Sequence, residues 1–583
     1  MKKILALTLS IAMIFATLPA SASAQKKIEV DSFGKVYYKS VGFEYDDPKV
    51  TVPGKTIKSK LPSSYDLRDQ GRVTGVKDQG NSQYCWAFAS LASIESNLIT
   101  KGLAGKSIDL SEAHLAYHTF NGRSESPAGK YAGRDTCNSA SGAANYYTAA
   151  ATLVRGYGPV SENLMPYSVM NRNVSIPSKY TTEKVKTSSA YDIQSASIIS
   201  SNSTTTQYDE AAANAAKELI MKNGAVASKY YFPDDDDWTA TFGTSNPYKL
   251  KAYFGPGEFP SHAITIIGWD DSFNDFTMEN RPPGPGAWIV KDSYGTDLHG
   301  DGYFYLSYYC PSLTQFISFT ASKKSNRRIY QYDGTGICDY ILYKNSAVSA
   351  ANCFTARNDE LLDQVMVFTP AANCSVNVKI YAARNQTSHI SGTKLFEKTF
   401  KCKYAGYSRL SLGKKIGIPK GSRFGIVVTI KTSDGKYFVP FEAQDIDEPV
   451  NYPAVVRKGQ TYIKTDGKWK PITTSTIVED DGYNYRLYSG IIKGYGLKSG
   501  TKAQKIKAKS RIRIRKGRSK SLRAKRIKGK GKLLYKTSNG KIAAVSAKGV
   551  VKAKKKGTVK ITIYTLPTVK YKSAKKIVTV KVN

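Results

Sequence analysis

The pattern of apolar and polar positions changes character along the chain. Over residues 86–100 apolar side chains recur at steps of three and four (Phe88, Leu91, Ile94, Leu98) without proline or glycine, which predicts a helix. Further on, compact apolar runs at 263–269 and 287–291 have strand length. Residues 61 to about 320 therefore predict an α+β domain. From about 328 to 493 the helical signals stop. Short β-rich runs at 376–381, 424–430 and 437–441 alternate with turns such as Pro419-Lys420-Gly421 and Ser433-Asp434-Gly435, which predicts a β-sandwich. From about 503 a second, smaller sandwich is expected. Its runs at 559–564 and 577–582 follow the turns Ser538-Asn539-Gly540 and Ala547-Lys548-Gly549.

The first residues read differently. Lys2 and Lys3 precede an apolar stretch from Ile4 to about Leu18, and Ala22-Ser23-Ala24 supplies small residues for cleavage. This is the pattern of a secretory signal peptide, too short in its apolar part for a membrane span. The expected organisation is thus a signal at 1–24, a short propeptide or N-terminal extension at 25–60, an α+β domain at 61–322, a sandwich at 323–497 and a basic sandwich at 503–583. A chain of 583 residues is too long for one core in any case.

Composition adds two constraints. Seven cysteines are few for an exported chain of this size, so packed cores rather than disulfides must hold the domains, and the odd count leaves at least one thiol unpaired. The net charge of +40 is concentrated at one end: residues 501–583 hold 29 Lys or Arg and no Asp or Glu, leaving +11 (40 − 29) for everything before them. Such a field suits anionic wall polymers or membrane surfaces outside a cell. Nucleic acid is disfavoured, because no aromatic and basic reading surface is evident.

The candidate chemistry lies where the helix begins. Cys85 follows Gln79-Gly80-Asn81-Ser82-Gln83-Tyr84, and at a helix N-terminus the dipole and backbone N–H groups favour a thiolate nucleophile. Gln79 offers an amide donor that, with the Cys85 N–H, would hold an oxyanion. Of the five histidines, His262 stands at the start of the apolar run 263–269, where a strand fixes an imidazole. Asp292, directly after the run 287–291, would orient that ring. His114 and His118 lie four apart on a predicted helix but lack further ligands, so a surface or packing role is expected and no metal or cofactor. Four aspartates at 234–237 read as a solvated loop, and His299 as a bystander near the cleft.

With these residues the chain resembles the papain-like cysteine peptidases. Leu61-Pro62-Ser63-Ser64-Tyr65-Asp66-Leu67-Arg68, Leu110-Ser111-Glu112, Gly158-Pro159-Val160, Pro166-Tyr167 and Gly302-Tyr303-Phe304 fall in that family's order over about 61 to 310. The resemblance implies a helical half facing a β-barrel-like half, peptide or protein substrates, and Cys85, His262, Asp292 and Gln79 as catalytic residues. It also implies that Gly142 and Tyr294 line the substrate cleft. Three departures stand out. Asp292 replaces the usual Asn, Tyr294 replaces a shielding Trp, and Ser82 stands where the family has a Cys paired to the counterpart of Cys137. The His262 spacing of 177 residues from Cys85 exceeds the usual separation of about 130–150.

Residues 329–334 and 405–424 resemble the lectin-like sandwich that follows such peptidases in exported bacterial proteins, which implies carbohydrate or partner binding by analogy, with a purely structural role beside the peptidase as the equal alternative. The segment around Tyr535–Ser546, Gly549-Val550-Val551 and Gly557-Thr558-Val559 is similar to bacterial Ig-like repeats. The expected protein is a secreted, non-covalently surface-associated endopeptidase; the alternatives are an adhesin with a degenerate peptidase domain and a wall-peptide amidase.

Overall fold

The helix expected from the periodicity runs Cys85–Thr100, buried along most of its length because its partners cover more than one face. The computed structural model describes residues 61–583 apart from 121–145, 171–175, 233–250, 253–260, 277–281, 297–300, 335–338, 344–346, 383–389, 391, 446–455, 466, 474–476 and 481–482, together with the strands Ile28–Val30 and Gly34–Ser40. The helix packs with helices Glu112–Phe120 and Tyr146–Val154 through Phe88, Leu91, Leu98, Leu115 and Leu153. Removing such side chains from water contributes roughly 1.5–3 kcal/mol each.

The strands expected at 263–269 and 287–291 are His262–Asp270 and Ala287–Lys291, antiparallel neighbours in one sheet with Val226–Tyr230 and Tyr303–Ser307 on either side. Their burial, complete but for Asp270 at the end, explains the unbroken apolar sequence: helices and strands cover both faces. A second core of Ile266, Trp269, Trp288, Phe304 and Phe316 lies beside helix Glu210–Asn223. The first domain is α+β, as expected, and two all-β sandwiches follow it.

The two larger domains are not independent beads. Strand Ala405–Ile418 pairs with strand Tyr191–Ser200, placing Ala405 opposite Ile198 and Ser408 opposite Ser195, so one sheet runs from the middle region into the peptidase region. The core of the helical half likewise continues into Met366, Phe368, Tyr407 and Tyr495. Gln331 donates to the Arg155 carbonyl at 2.8 Å across the same boundary. Of the segment expected as a propeptide, Gly34–Ser40 is an added strand on Asp339–Tyr343 of the middle sandwich.

The last sandwich encloses its own core of Ile512, Val551, Ile561, Val578 and Val580. Asp359 pins it to the middle domain by accepting from the backbone N (2.7 Å) and hydroxyl (2.7 Å) of Ser573. The five cysteines among the described residues are free thiols; Cys137 and Cys338 lie outside them. No helix among the described residues is long and apolar enough to cross a membrane.

Candidate active site

Three elements converge on Cys85. The helix begins there because the Tyr84 carbonyl already accepts from Ala87 (2.7 Å) and Phe88 (3.2 Å). Its first turn carries no acidic residue, so nothing offsets the positive end of the helix beside the thiol. His262 opens one strand and Asp292 follows its neighbour. The pairing of Thr265 with Lys291, carried outward, brings His262 level with the loop after Asp292. There His262 Nε2 and Asp292 Oδ1 lie 2.8 Å apart, both residues buried. Cys85 adjoins the imidazole and acts with Asp292 to favour its protonated form. Burial disfavours a charged imidazole, but the adjoining Asp292 carboxylate and Cys85 outweigh it, and His262 is pushed up to about 10.

Aromatic rings close this pair off from water. Tyr294 stacks on the imidazole at 4.9 Å and 17°, and Phe232 meets it edge-on at 5.1 Å. Tyr294, expected to line the substrate cleft, thus covers His262 while remaining half-buried. Phe232 was not legible beforehand, since nothing in its own surroundings along the chain marks it.

Gln79 is held from both ends. Its backbone N donates to Ser293 O at 2.7 Å, and Gly295 N donates to Lys77 O at 3.0 Å, so residues 77–79 pair with the loop after Asp292. Ser293 Oγ donates to Gln79 Oε1 at 2.7 Å, which turns the amide nitrogen outward. That nitrogen gives one hydrogen to Ser82 O at 2.6 Å and has a second for an oxyanion. Gly80, at φ +55°, makes the turn that allows this, a conformation costly for other residues.

The departure at Ser82 has a structural counterpart. Ser82 Oγ lies 2.5 Å from the Tyr167 hydroxyl, which also donates to Gln79 O at 2.9 Å. Tyr167 packs edge-on against Phe88 at 4.8 Å, and its backbone N is bound by Glu162 at 2.5 Å. A phenol anchored in the helical half therefore holds the Gln79–Ser82 loop where the family pattern leads one to expect a disulfide. Tyr167→Phe is expected to lower kcat about fivefold to tenfold with KM little changed, read from steady-state kinetics on a short peptide. An equal fall in Ser82→Ala would agree; unchanged kcat in both would exclude the clamp.

Behind the site, Lys77 bonds Glu95 (3.0 Å), Glu112 (2.8 Å) and Asp109 (2.7 Å). Lys291 reaches Thr74 at 3.1 Å, and burial lowers it to about 8. These groups brace the strip carrying Gln79 against the helix. Their charges gave no signal in the sequence because their positions are far apart.

Cys85, His262, Asp292 and Gln79 come together; Gly142, His299 and the aspartates at 234–237 lie outside the described residues. His114 and His118 are buried with rings 4.4 Å apart, and His118 stacks on Tyr157, a packing role. Among the described residues no three His, Cys, Asp or Glu side chains are grouped to hold a metal.

Comparison with known proteins finds three domain families in order along the chain. The papain family cysteine protease pattern matches residues 61–312, the lectin like domain 329–484 and the bacterial Ig-like domain (group 2) 511–580. Ananain of Ananas comosus is 45% identical over 69 residues, 12% of this chain and 19% of the relative. Cathepsin 7 of Rattus norvegicus is 39% identical over 92 residues, 15% of this chain and 27% of the relative. These matches thus span about a fifth to a quarter of the curated relatives. Among solved structures, the cysteine protease and lectin-like domains of Cwp84, a surface layer associated protein of Clostridium difficile, superpose with a TM-score of 0.58 at 23% identity, covering 82% of this chain and 94% of that one. The form of Cwp84 after propeptide cleavage gives 0.59 at 24%, covering 75% and 100%.

Proposed function

From a chain whose residues 61–312 are a papain-family cysteine protease domain, with lectin-like and bacterial Ig-like domains behind it, we propose a secreted, surface-associated cysteine endopeptidase. The observation that carries this is the buried His262–Asp292 pair, 2.8 Å apart, beside Cys85 at a helix N-terminus. The Cys85 thiolate attacks the peptide carbonyl carbon, and the oxyanion forms toward Gln79 Nε2 and the Cys85 N–H. His262 gives its proton to the departing amine as the C–N bond breaks, leaving a thioester. His262 then takes a proton from water, whose oxygen displaces the thiolate. Asp292 holds the imidazole in place throughout, and Tyr294 covers it.

Export rests on the N-terminal pattern, and the boundaries 61–322, 323–497 and 503–583 are part of the same proposal. The lectin-like domain would bring carbohydrate to a catalytic body with which it shares a sheet. An epoxysuccinyl inhibitor is expected to label the wild type once, and Cys85→Ala not at all, by intact mass. Digestion of a peptide library is expected to release new internal cleavage products. Absence of labelling at Cys85 would leave an adhesin, and cleavage confined to wall peptides an amidase.

A further inference from the structure

The Ig-like domain carries 29 cations and no carboxylate in residues 501–583, yet they are not evenly distributed over its surface. It has two main sheets and a two-stranded ribbon, Lys505–Lys507 with Lys525–Lys528, which carries Lys505, Lys507, Lys525, Arg526 and Lys528. In the three-stranded one, Ser519–Ser521, Ala543–Val545 and Val550–Ala553, the strands hold two cations, Lys520 and Lys552. The four-stranded one comprises Arg511–Ile514, Leu533–Thr537, Gly557–Thr565 and Lys575–Val582. There the inward positions are Ile512, Ile514, Val559, Ile561, Val578 and Val580, so alternation sends Arg511, Arg513, Lys560, Lys575 and Lys581 outward, all exposed.

The register arranges them in rows. Arg511 lies beside Thr579, which lies beside Lys560; Arg513 lies beside Lys581, which lies beside Thr558. Neighbouring strands are about 4.8 Å apart, so Arg513 and Lys581 are like charges in contact range, an arrangement that destabilises a sheet. None of the five forms an ion pair with a described residue. The rows therefore present guanidinium, ammonium and threonine hydroxyl donors with no acceptor of their own. That is the donor set for phosphate oxygens.

We propose that this outer face binds a linear phosphate-bearing polymer of the polyol-phosphate kind. A row of anions relieves the repulsion between adjacent cations and receives hydrogen bonds from the threonines in the same rows. The aromatic ring this face offers, Tyr564 beside Lys575, is only part-exposed, and the face is a flat sheet rather than a helix or ribbon shaped for a groove, which disfavours nucleic acid. This deepens the surface association proposed above, but it is read by binding, so its failure is distinct from failure of the peptidase reading.

The test uses the full chain and poly(glycerol phosphate) as probe. The variant Arg511→Gln, Arg513→Gln, Lys560→Gln, Lys581→Gln is compared with Lys530→Gln, Lys548→Gln, Lys554→Gln, Lys555→Gln, which removes equal charge from exposed positions elsewhere in the domain. At low salt the face variant is expected to bind at least tenfold more weakly, and the control less than threefold. The slope of log K against log salt should fall by up to about 3 in the face variant, at roughly 0.7 per phosphate contact. Matching thermal unfolding confirms that both variants fold; if the face variant does not, Arg513→Gln and Lys581→Gln are measured singly and each must weaken binding. Equal weakening in both quadruple variants would mean diffuse attraction and overturn the face. No binding by the wild type, or tighter binding to single-stranded DNA of equal charge, would overturn the partner.

Discussion

Cys85→Ala is expected to lower kcat for peptide hydrolysis by a factor on the order of 10⁶, with KM changing little. The substitution leaves the binding surfaces and Gln79 in place but removes the atom that forms the thioester in the proposed mechanism. In triads that act as one device, loss of the nucleophile or of its base alone costs nearly as much as loss of both, about 2 × 10⁶ in a serine protease. His262→Ala should therefore be about as damaging as Cys85→Ala, and the double variant little worse than either. Titration with an active-site inhibitor keeps traces of wild-type enzyme from setting the apparent floor. If the two losses multiplied instead, Cys85 and His262 would not be partners.

Asp292 is expected to set the alkaline limit of activity. Burial alone would lower His262; the Asp292 carboxylate, 2.8 Å away, and Cys85 lift it to about 10. The reactive form needs a protonated His262, so the wild-type rate should persist through neutral pH and fall only as pH approaches 10. In Asp292→Asn the geometry is kept but the charge is gone, so the alkaline limb of kcat/KM should move down by more than one pH unit. In Asp292→Ala the orienting bond is lost as well, and kcat should fall about 100-fold, within the span of a lost general-base function. The sign of the stability effect follows from the raised value. A histidine that binds its proton more tightly when folded contributes its full stabilisation below its unfolded pKa of about 6.5. That contribution declines above it and is gone once pH passes about 10. Denaturant titrations of the wild type and Asp292→Asn should accordingly differ most below pH 6.5 and converge near pH 10. A wild-type alkaline limb that Asp292→Asn does not move would remove Asp292 from the site.

The charge at position 292 also gives Tyr294 a second meaning. A carboxylate that strengthens the imidazolium does so most where water is excluded. The stacked Tyr294 ring and the edge-on Phe232 provide that exclusion from opposite sides of the chain order, one beside Asp292 and one before His262. The site thus combines a stronger anion with a smaller cover than the tryptophan expected from the family pattern.

Local chemistry was legible wherever physics acts over a few residues. The step of three and four in Phe88, Leu91, Ile94 and Leu98 specified the helix, and helix position in turn made Cys85 a nucleophile candidate. Unbroken apolar runs located the strands that carry His262 and precede Asp292, to within a residue of the observed bounds. The all-acid-free composition of residues 501–583 likewise stated a charge that no folding could change. Tertiary structure decided what depends on distance in space. That Tyr167 clamps Ser82 across 85 positions, that Ser293 turns the Gln79 amide across 214, and that Ala405 pairs with Ile198 are contacts between residues with no shared local pattern. An alternating strand shows which side chains share a face, but only its pairing partners show which charges become neighbours. So the sequence by itself determined that Cys85 stood at a helix start, and the fold alone brought His262, Asp292 and the phenol of Tyr167 to it.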